Sequence, residues 1–582
     1  MSPTELIREF LLKRKWSYAL GIGAIGVAEF FQVRIPHILG DFINRLKGGV
    51  ATEHVILGFA LELVIAAAGY VFLFGLGQTR IGRLGRVMEF EMRQTLFGHW
   101  QTLSTRYFQQ HSVGDLLNHT LNDVTAIRQA MSMGLNQISQ ALFLFVATLY
   151  MTIRTINLRL TLFSLIPILF IPVVIAIIRP QVRTRSRRVQ EALSDMSELA
   201  EESFQAIRLI KASSNEPIEV ERFRRKTQAV VERQMHLVRI NTLFQALVPL
   251  LSGMGFTVGL VYGGWLVIHG HISLGSFVAF TVYLSMLVQP LMQFGIVINL
   301  FQNASASMIR IQVLLAVPPE ITDPQEPVTD VSWTGAVTVR NLTFAYPDTE
   351  QPILSNLSFT VPAGTTLGIV GRTGAGKTTL LNLMVRDYDP PAGTIMMDGI
   401  DIRSMRLSDL RHLIAYVPQD GFLFSTTVGE NIAFSQPTVD PEAVEEAAVQ
   451  AQIWDTICAM PEGIQTEIGE RGIMLSGGQR QRTAIARALI KSDARLLILD
   501  DSLSAVDTVT ETEILRVLKK VRGQKTTIIA AHRLSALRDA DHIIVLDHGA
   551  IVEQGVHRDL IWQDGLYAAL YRIQTGGEVA HA

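Results

Sequence analysis

Residues 371–378 read Gly371-Arg372-Thr373-Gly374-Ala375-Gly376-Lys377-Thr378. A short apolar stretch, 366–370, comes before them, and an apolar helical run begins at Thr379. The pattern G-x-x-x-x-G-K-[ST] between a strand and a helix is a phosphate-binding loop. Its glycines let successive backbone N–H groups converge on phosphate oxygens, and the helix N-terminus adds a favourable dipole. Lys377 supplies a point charge to the β- and γ-phosphates, and the Thr378 hydroxyl is placed to ligate Mg²⁺. A second apolar stretch, 496–499, ends in Asp500. An acid at the C-terminal end of a strand beside a phosphate loop can hold Mg²⁺, the Walker-B role. A helix-capping Asp500 is the alternative, and it loses force once the phosphate loop is granted. The β-branched runs at 336–339, 526–530 and 542–546, set between helical stretches, complete the pattern of an α/β domain.

Ahead of this domain the composition changes. The 582-residue chain is 48% hydrophobic and only 18% charged, with mean hydropathy +0.28. Soluble proteins carry about 25% charged residues, so the apolar excess places part of the chain in lipid. It also excludes disorder as a global description. Lys+Arg 51 against Asp+Glu 53 leaves a net charge of −2, which argues against a nucleic-acid partner. The single cysteine, Cys458, excludes a disulfide framework, a thiolate cluster and a zinc ribbon. Segments 133–153, 160–178, 241–268 and 272–308 contain no charged residue, and 55–76 contains only Glu62. A sixth, 16–39, carries Glu29, Arg34 and His37. A helix of about 20 apolar residues crosses a bilayer. Six spans are therefore expected, over 16–39, 55–76, 133–153, 160–178, 241–268 and 272–300. The stretch after Lys13-Arg14-Lys15 is too long for a cleaved signal.

Lys and Arg set the orientation. Twenty-three lie in 1–15, 77–132 and 179–240, against Arg45, Lys47, Arg154 and Arg159 on the other side. Both termini and the long loops are expected in the cytoplasm. Within those loops, 82–103 and 189–209 show apolar residues at helical spacing among charges. They predict helices that project beyond the membrane and turn back near Ser112-Val113-Gly114-Asp115 and Asn215-Glu216-Pro217. Pro318, Pro319, Pro324 and Pro327 mark a linker. The expected organisation is a transmembrane domain, 1–317, a linker, 318–332, and a nucleotide-binding domain, 333–582. Inside the spans, Glu29 and Glu62 either line a cavity that favours cationic amphiphiles or pair locally. Gln289, Gln293 and Gln302 either line a polar pathway or bond between helices, and Gly21, Gly23 and Gly26 suggest close packing.

Leu475-Ser476-Gly477-Gly478-Gln479 is another Gly-rich turn opening a helix, so it can cap a γ-phosphate. It resembles the signature loop of ABC-type ATPases, and further motifs of that family follow its order. Tyr346 resembles the aromatic that stacks on adenine, Gln419 in Val417-Pro418-Gln419 the Mg²⁺-sensing glutamine, and 466–472 the exporter-specific loop. Ser504-Ala505-Val506-Asp507 resembles the D-loop and His532 the switch histidine. Over essentially its whole length the chain resembles a half-transporter of the ABC exporter family, in particular the multidrug-resistance-like bacterial members. The resemblance implies a six-helix transmembrane bundle with long cytoplasmic helical extensions, followed by an ABC-type P-loop ATPase domain. It implies ATP and Mg²⁺ as cofactors. Nucleotide contacts would come from Tyr346, Gly371 to Thr379, Ser476, Gly477, Gly478, Gln479 and Asp507, and Mg²⁺ contacts from Thr378, Gln419 and Asp500. Asp501, Gln419 and His532 would carry the chemistry. ATP would lie between the phosphate loop of one chain and the signature of another, so a second half-transporter chain is implied. The other expected partners are membrane lipid and a small amphiphilic substrate, and the expected location is the plasma membrane.

One position departs from the family pattern. The family's general base is a Glu directly after the Walker-B Asp, and this sequence has Asp501 there. Asp is shorter by one methylene, about 1.5 Å, while a base must lie within about 2.6–3.2 Å of its water. Asp501 is therefore expected to serve poorly. A weakened acid beside an intact signature resembles the degenerate-site member of a heterodimeric exporter, whose signature completes the competent site on its partner. A homodimeric exporter in which Asp501 still acts as base is the alternative, as is an ATP-gated channel of the same architecture. Soluble ATPases of chromosome maintenance share the signature but lack the spans.

Overall fold

The computed structural model describes residues 3–49, 52–329, 331–347, 349, 351–469, 473–521 and 525–575. The chain divides into two units, Met1–Thr102 with Gln110–Pro318, and Leu103–Gln109 with Pro319–Ala582.

Among the described residues, six helices long and apolar enough to cross a membrane build the first unit. They are α1 (Lys15–Lys47), α2 (Glu53–Trp100), α3 (Val113–Arg154), α4 (Leu158–Gln205), α5 (Glu216–Ile268) and α6 (Leu274–Leu315). At 1.5 Å per residue, the 53 residues of α5 extend about 80 Å, far beyond a hydrocarbon core of about 30 Å. The apolar span and its charged extension are thus one continuous helix, as the sequence pattern predicts. Close packing falls where a side chain is missing. A Cβ on Gly77 would lie 2.7 Å from the Gly21 carbonyl oxygen, and one on Gly26 would meet the Phe143 ring at 3.1 Å. Gly23 has open space around it and takes no part. Two π-helical turns, His119–Asp123 and Ala130–Gly134, interrupt α3. The first presents Asp123 to α6, where Arg310 Nε (3.0 Å) and Ser307 Oγ (2.8 Å) donate to it.

Each long loop reverses through a short helix, Thr105–Gln110 in the first and Ile207–Ala212 in the second. The expected breaks lie one step later, where the return helices begin. Ser112 Oγ accepts the Asp115 N–H and so caps α3, and Pro217 sits in the first turn of α5. The reversal itself uses residues with no Gly or Pro, so its position carried no sequence signal.

The second unit holds two sheets. Strands β1 (Val337–Phe344), β2 (Leu354–Val361), β4 (Ala392–Met397) and β5 (Ile400–Asp401) form an antiparallel sheet in the order β2-β1-β4-β5. The other sheet runs β10-β9-β3-β8-β7-β6, with β3 (Thr366–Gly371), β6 (Ile414–Val417), β7 (Leu496–Asp500), β8 (Thr526–Ala530), β9 (His542–Asp547) and β10 (Ala550–Gly555). All its pairs are parallel except β10 with β9. Strands β3, β7 and β8 are buried at every residue. Their apolar runs, 367–370, 496–499 and 528–530, are what a parallel sheet covered on both faces requires.

The proline-rich segment after residue 318 has no regular structure, yet it is pinned. Arg386 donates to the Thr322 carbonyl at 3.2 Å, and Asp323 accepts the Leu407 N–H at 2.8 Å. Glu320 accepts from Ser104 Oγ at 2.7 Å and Arg106 at 3.1 Å. These contacts place Leu103–Gln109 in the second unit.

Candidate active site

Four neighbouring parallel strands end at one edge of the sheet, where α/β ligands bind. The phosphate loop follows β3, Pro418-Gln419 follows β6, Asp500-Asp501 closes β7, and Ala531-His532 follows β8. Motifs scattered over more than 160 residues of sequence thereby meet.

In the phosphate loop Gly374 (φ +82°) and Gly376 (φ +97°) take backbone conformations that only glycine adopts without strain. Helix α7 (Lys377–Met384) opens at Lys377 itself. The Lys377 ammonium is buried and donates to the carbonyls of Gly371 (2.9 Å) and Arg372 (3.2 Å). Burial lowers its pKa, against the charges of Asp501 and Asp500. Thr378 Oγ1 donates to Asp500 Oδ1 at 3.2 Å, and Tyr416 OH to Oδ2 at 3.4 Å. Asp500 is 2% exposed, and burial pushes its pKa up, with the Thr378 hydrogen bond opposing. Burial likewise raises the Tyr416 phenol. Two hard oxygens 3.2 Å apart suit adjacent positions of an octahedral Mg²⁺, which are about 3 Å apart. The donor set fits that ion.

Tyr346 lies just beyond β1, with its ring edge-on to Phe344 and Tyr388 and its hydroxyl 3.1 Å from Thr379 Oγ1. Two residues assigned to the nucleotide are thus brought together beside the loop. Arg372, Thr373 and Gln419 are exposed.

The signature residues form a separate constellation. Ser476 caps helix α8 (Gly477–Leu489) in a capping box: its Oγ accepts the Gln479 N–H (3.3 Å), and Gln479 Oε1 accepts the Ser476 N–H (2.9 Å). A Cβ on Gly478 would lie 2.9 Å from the Ala505 carbonyl oxygen, so the D-loop requires this glycine. Gln481, which sequence reading missed, is buried and clamps the D-loop. It donates to Ser504 Oγ (3.2 Å) and accepts the Ala505 N–H (2.9 Å). Asp507 accepts the Thr510 N–H at 3.0 Å and starts helix α9 (Thr508–Val521). Of the exporter-specific loop, Glu470, Arg471 and Gly472 lie outside the described residues.

Asp501 takes a left-handed φ of +44° and donates its N–H to the Ala530 carbonyl (2.8 Å). Its carboxylate Oδ1 accepts the His532 backbone N–H at 3.2 Å. The acid is thereby turned onto the loop that carries the histidine. Tyr416 and Gln481 had no legible signal, because each acts through a strand or loop whose neighbour is set only by folding.

In the first unit the intramembrane candidates separate. Glu62 is exposed on α2. Glu29 is fully buried on α1, and neither oxygen closes a well-formed hydrogen bond, although the Gln140 amide lies beside it. Gln302 accepts from Arg179 at 2.8 Å, an interhelical bond rather than a pathway. His37 sits 3.2 Å from Asp41.

Comparison with known proteins gives concordant results. Residues 18–291 match the ABC transporter transmembrane region, and 354–504 match the ABC transporter family. The chain is 35% identical, over 95% of its length and 93% of the relative's, to the probable multidrug resistance ABC transporter ATP-binding/permease protein YheI of Bacillus subtilis. It is 34% identical to the multidrug resistance-like ATP-binding protein MdlA of Escherichia coli, covering 97% of this chain and 95% of that one. It is 36% identical to an ATP-dependent lipid A-core flippase of Pseudomonas fluorescens, over 98% and 96%. Among solved structures, a bacterial Atm1-family ABC exporter with ATP bound superposes with a TM-score of 0.79 at 29% identity, over 98% of this chain and 99% of that one.

Proposed function

The chain belongs to the ABC transporter family, as a multi-pass membrane protein whose ATPase is coupled to transport, and from that premise we propose that it is one half of an ATP-driven exporter of amphiphilic molecules, drug-like or lipid-like. Its relatives named for multidrug resistance and for lipid A-core flipping support that substrate class. Its termini and ATPase domain face the cytoplasm, in keeping with the Lys and Arg distribution. ATP with Mg²⁺ occupies the phosphate loop. Lys377 and the loop N–H groups bind phosphate, Thr378, Gln419 and Asp500 would hold the metal, Tyr346 stacks on adenine, and His532 senses the γ-phosphate. When bound there, the metal would supply positive charge beside the phosphates. The signature of a second chain closes the site, and closure of the two ATPase domains is relayed into the spans.

The second chain is a different half-transporter, and the site built on Lys377 is the slow one. Asp501 carries this reading. It is a methylene shorter than the family's base, and its carboxylate is engaged by the His532 N–H at 3.2 Å. The need for a partner is further supported by the second loop, where Phe204 is 74% and Leu209 69% exposed in the single chain. The test is the ATPase activity of the chain purified alone, with and without Asp501→Glu. Low turnover that rises about tenfold or more on Asp501→Glu is expected. Wild-type turnover equal to that of homodimeric exporters, with no gain from Asp501→Glu, overturns the heterodimer reading in favour of Asp501 as a working base.

A further inference from the structure

Helix α10 (Leu566–Gln574) is anchored firmly at its start and reaches the ATPase site at its end. Glu553 on β10 accepts the N–H groups of Leu566 and Tyr567, the latter at 3.2 Å. Tyr567 is fully buried, and its hydroxyl lies 2.6 Å from His557 Nδ1. The last residue of the helix, Gln574, is held in register by these contacts. Its amide straddles the segment joining β8 to the short helical turn at Leu534: Oε1 accepts the Leu534 N–H (2.9 Å), and Nε2 donates to the His532 carbonyl (2.7 Å). A primary amide is the side chain that can give and take one hydrogen bond on the same edge, so it pairs with this backbone as another peptide would.

Between two regular elements, backbone groups depend on such partners for a defined position. Here Asp501 takes the His532 N–H (3.2 Å), Gln574 takes the His532 carbonyl and the Leu534 N–H, and the Arg533 guanidinium donates to the Val506 carbonyl (2.9 Å) and to buried Glu511 (3.0 Å). No partner other than Gln574 comes from the C-terminal helix among these bonds.

We propose that Gln574 is a positioning residue for His532, so that the C-terminal helix sets where the switch histidine stands relative to the phosphate loop. This rests on the reading of His532 as the residue that senses γ-phosphate. Loosening of the clamp lets the imidazole drift. Misplacement by about 1 Å can cost up to about 100-fold in rate, and with Asp501 still holding the N–H a smaller loss follows.

The experiment uses the full transporter in nanodiscs, with its partner chain where one is required. Bound 8-azido-[α-³²P]ATP is photo-crosslinked at intervals, and its conversion to ADP on this chain reports this chain's own site. Gln574→Met, of similar length but unable to form either bond, is expected to slow conversion about 3- to 10-fold. Gln574→Glu, which keeps the acceptor and loses the donor, is expected to slow it at least as much. Nucleotide affinity should stay within about twofold, and the thermal midpoint should not move. In a His532→Ala background, Gln574→Met should add nothing, since the residue acts through the histidine. An unchanged conversion rate in Gln574→Met, or the same further loss on top of His532→Ala, overturns the proposal. If His532→Ala itself leaves conversion unchanged, the switch assignment fails instead, whatever Gln574 does.

Discussion

At the phosphate loop, Lys377 is buried near two carboxylates and bonds to carbonyls of its own loop. At the signature loop, Ser476 and Gln479 satisfy each other, Gln481 holds the D-loop, and no ionised side chain enters those bonds. The two faces of one ATPase domain thus prepare for the two triphosphates they would serve differently. On the first, a ligand must exchange with hydrogen bonds that already exist, so binding there entails local rearrangement. On the second, the capping box already engages the Ser476 and Gln479 N–H groups and fixes the helix start, which leaves the first-turn glycines Gly477 and Gly478 to meet a phosphate. In the proposed assembly the phosphate-loop face captures nucleotide, and this chain's signature face, where Arg480 donates to the Leu475 carbonyl at 3.0 Å, closes over the partner's nucleotide.

The largest expected effect breaks the first face alone. Lys377→Ala should reduce photolabelling of this chain by azido-ATP about 100-fold, because a buried charge-assisted contact to phosphate has no substitute. Labelling at the wild-type level would remove the asymmetry at its root. The second test addresses the rigid face. Gly478→Ala places a Cβ 2.9 Å from the Ala505 carbonyl oxygen, so the D-loop must shift. Turnover of the assembled transporter should fall about 10- to 100-fold while nucleotide labelling of this chain stays within about twofold. Equal loss of both would mean that the two faces are not separable.

The smallest effect concerns acid sensitivity on the nucleotide side. Asp398, in the hairpin between β4 and β5, accepts the N–H groups of Thr334 (2.8 Å), Gly335 (2.9 Å) and Ala336 (3.0 Å). Burial alone would raise its pKa. The Thr334 hydroxyl and the three backbone bonds outweigh that and hold it below the ordinary carboxylate range. A depressed pKa contributes stability that is complete above the unfolded value, about 3.9, and is lost as pH falls through the lower folded value. Asp398→Asn should cost about 1–2 kcal/mol near pH 7 after solvent screening, and the gap in thermal midpoint should narrow below about pH 4. A gap constant from pH 7 to pH 3 would assign the loss to packing.

Much of this was legible beforehand because the signals are local. A phosphate loop is eight consecutive residues, a span is a run of apolar ones, and the signature is a Gly-rich turn of five residues opening a helix. The turns were expected near 112–115 and 215–217, whereas the short reversal helices Thr105–Gln110 and Ile207–Ala212 lie a few residues earlier and contain no Gly or Pro to mark them. Tyr416, Gln481 and Gln574 gave no sign, being polar residues whose partners lie 84, 23 and 42 positions away.

Chain chemistry alone determined that this protein enters a membrane six times and carries a nucleotide loop, since periodicity and composition act through each residue's own transfer energy and backbone freedom. Only the tertiary structure decided that β6, β7, β8 and β3 end side by side, so that Gln419, Asp500, Asp501, His532 and Lys377 share one edge. It also decided that Asp501 faces the histidine loop. Strand order and side-chain pairing at a distance are properties of the packed sheet, where each hydrogen bond depends on neighbours that no stretch of sequence contains.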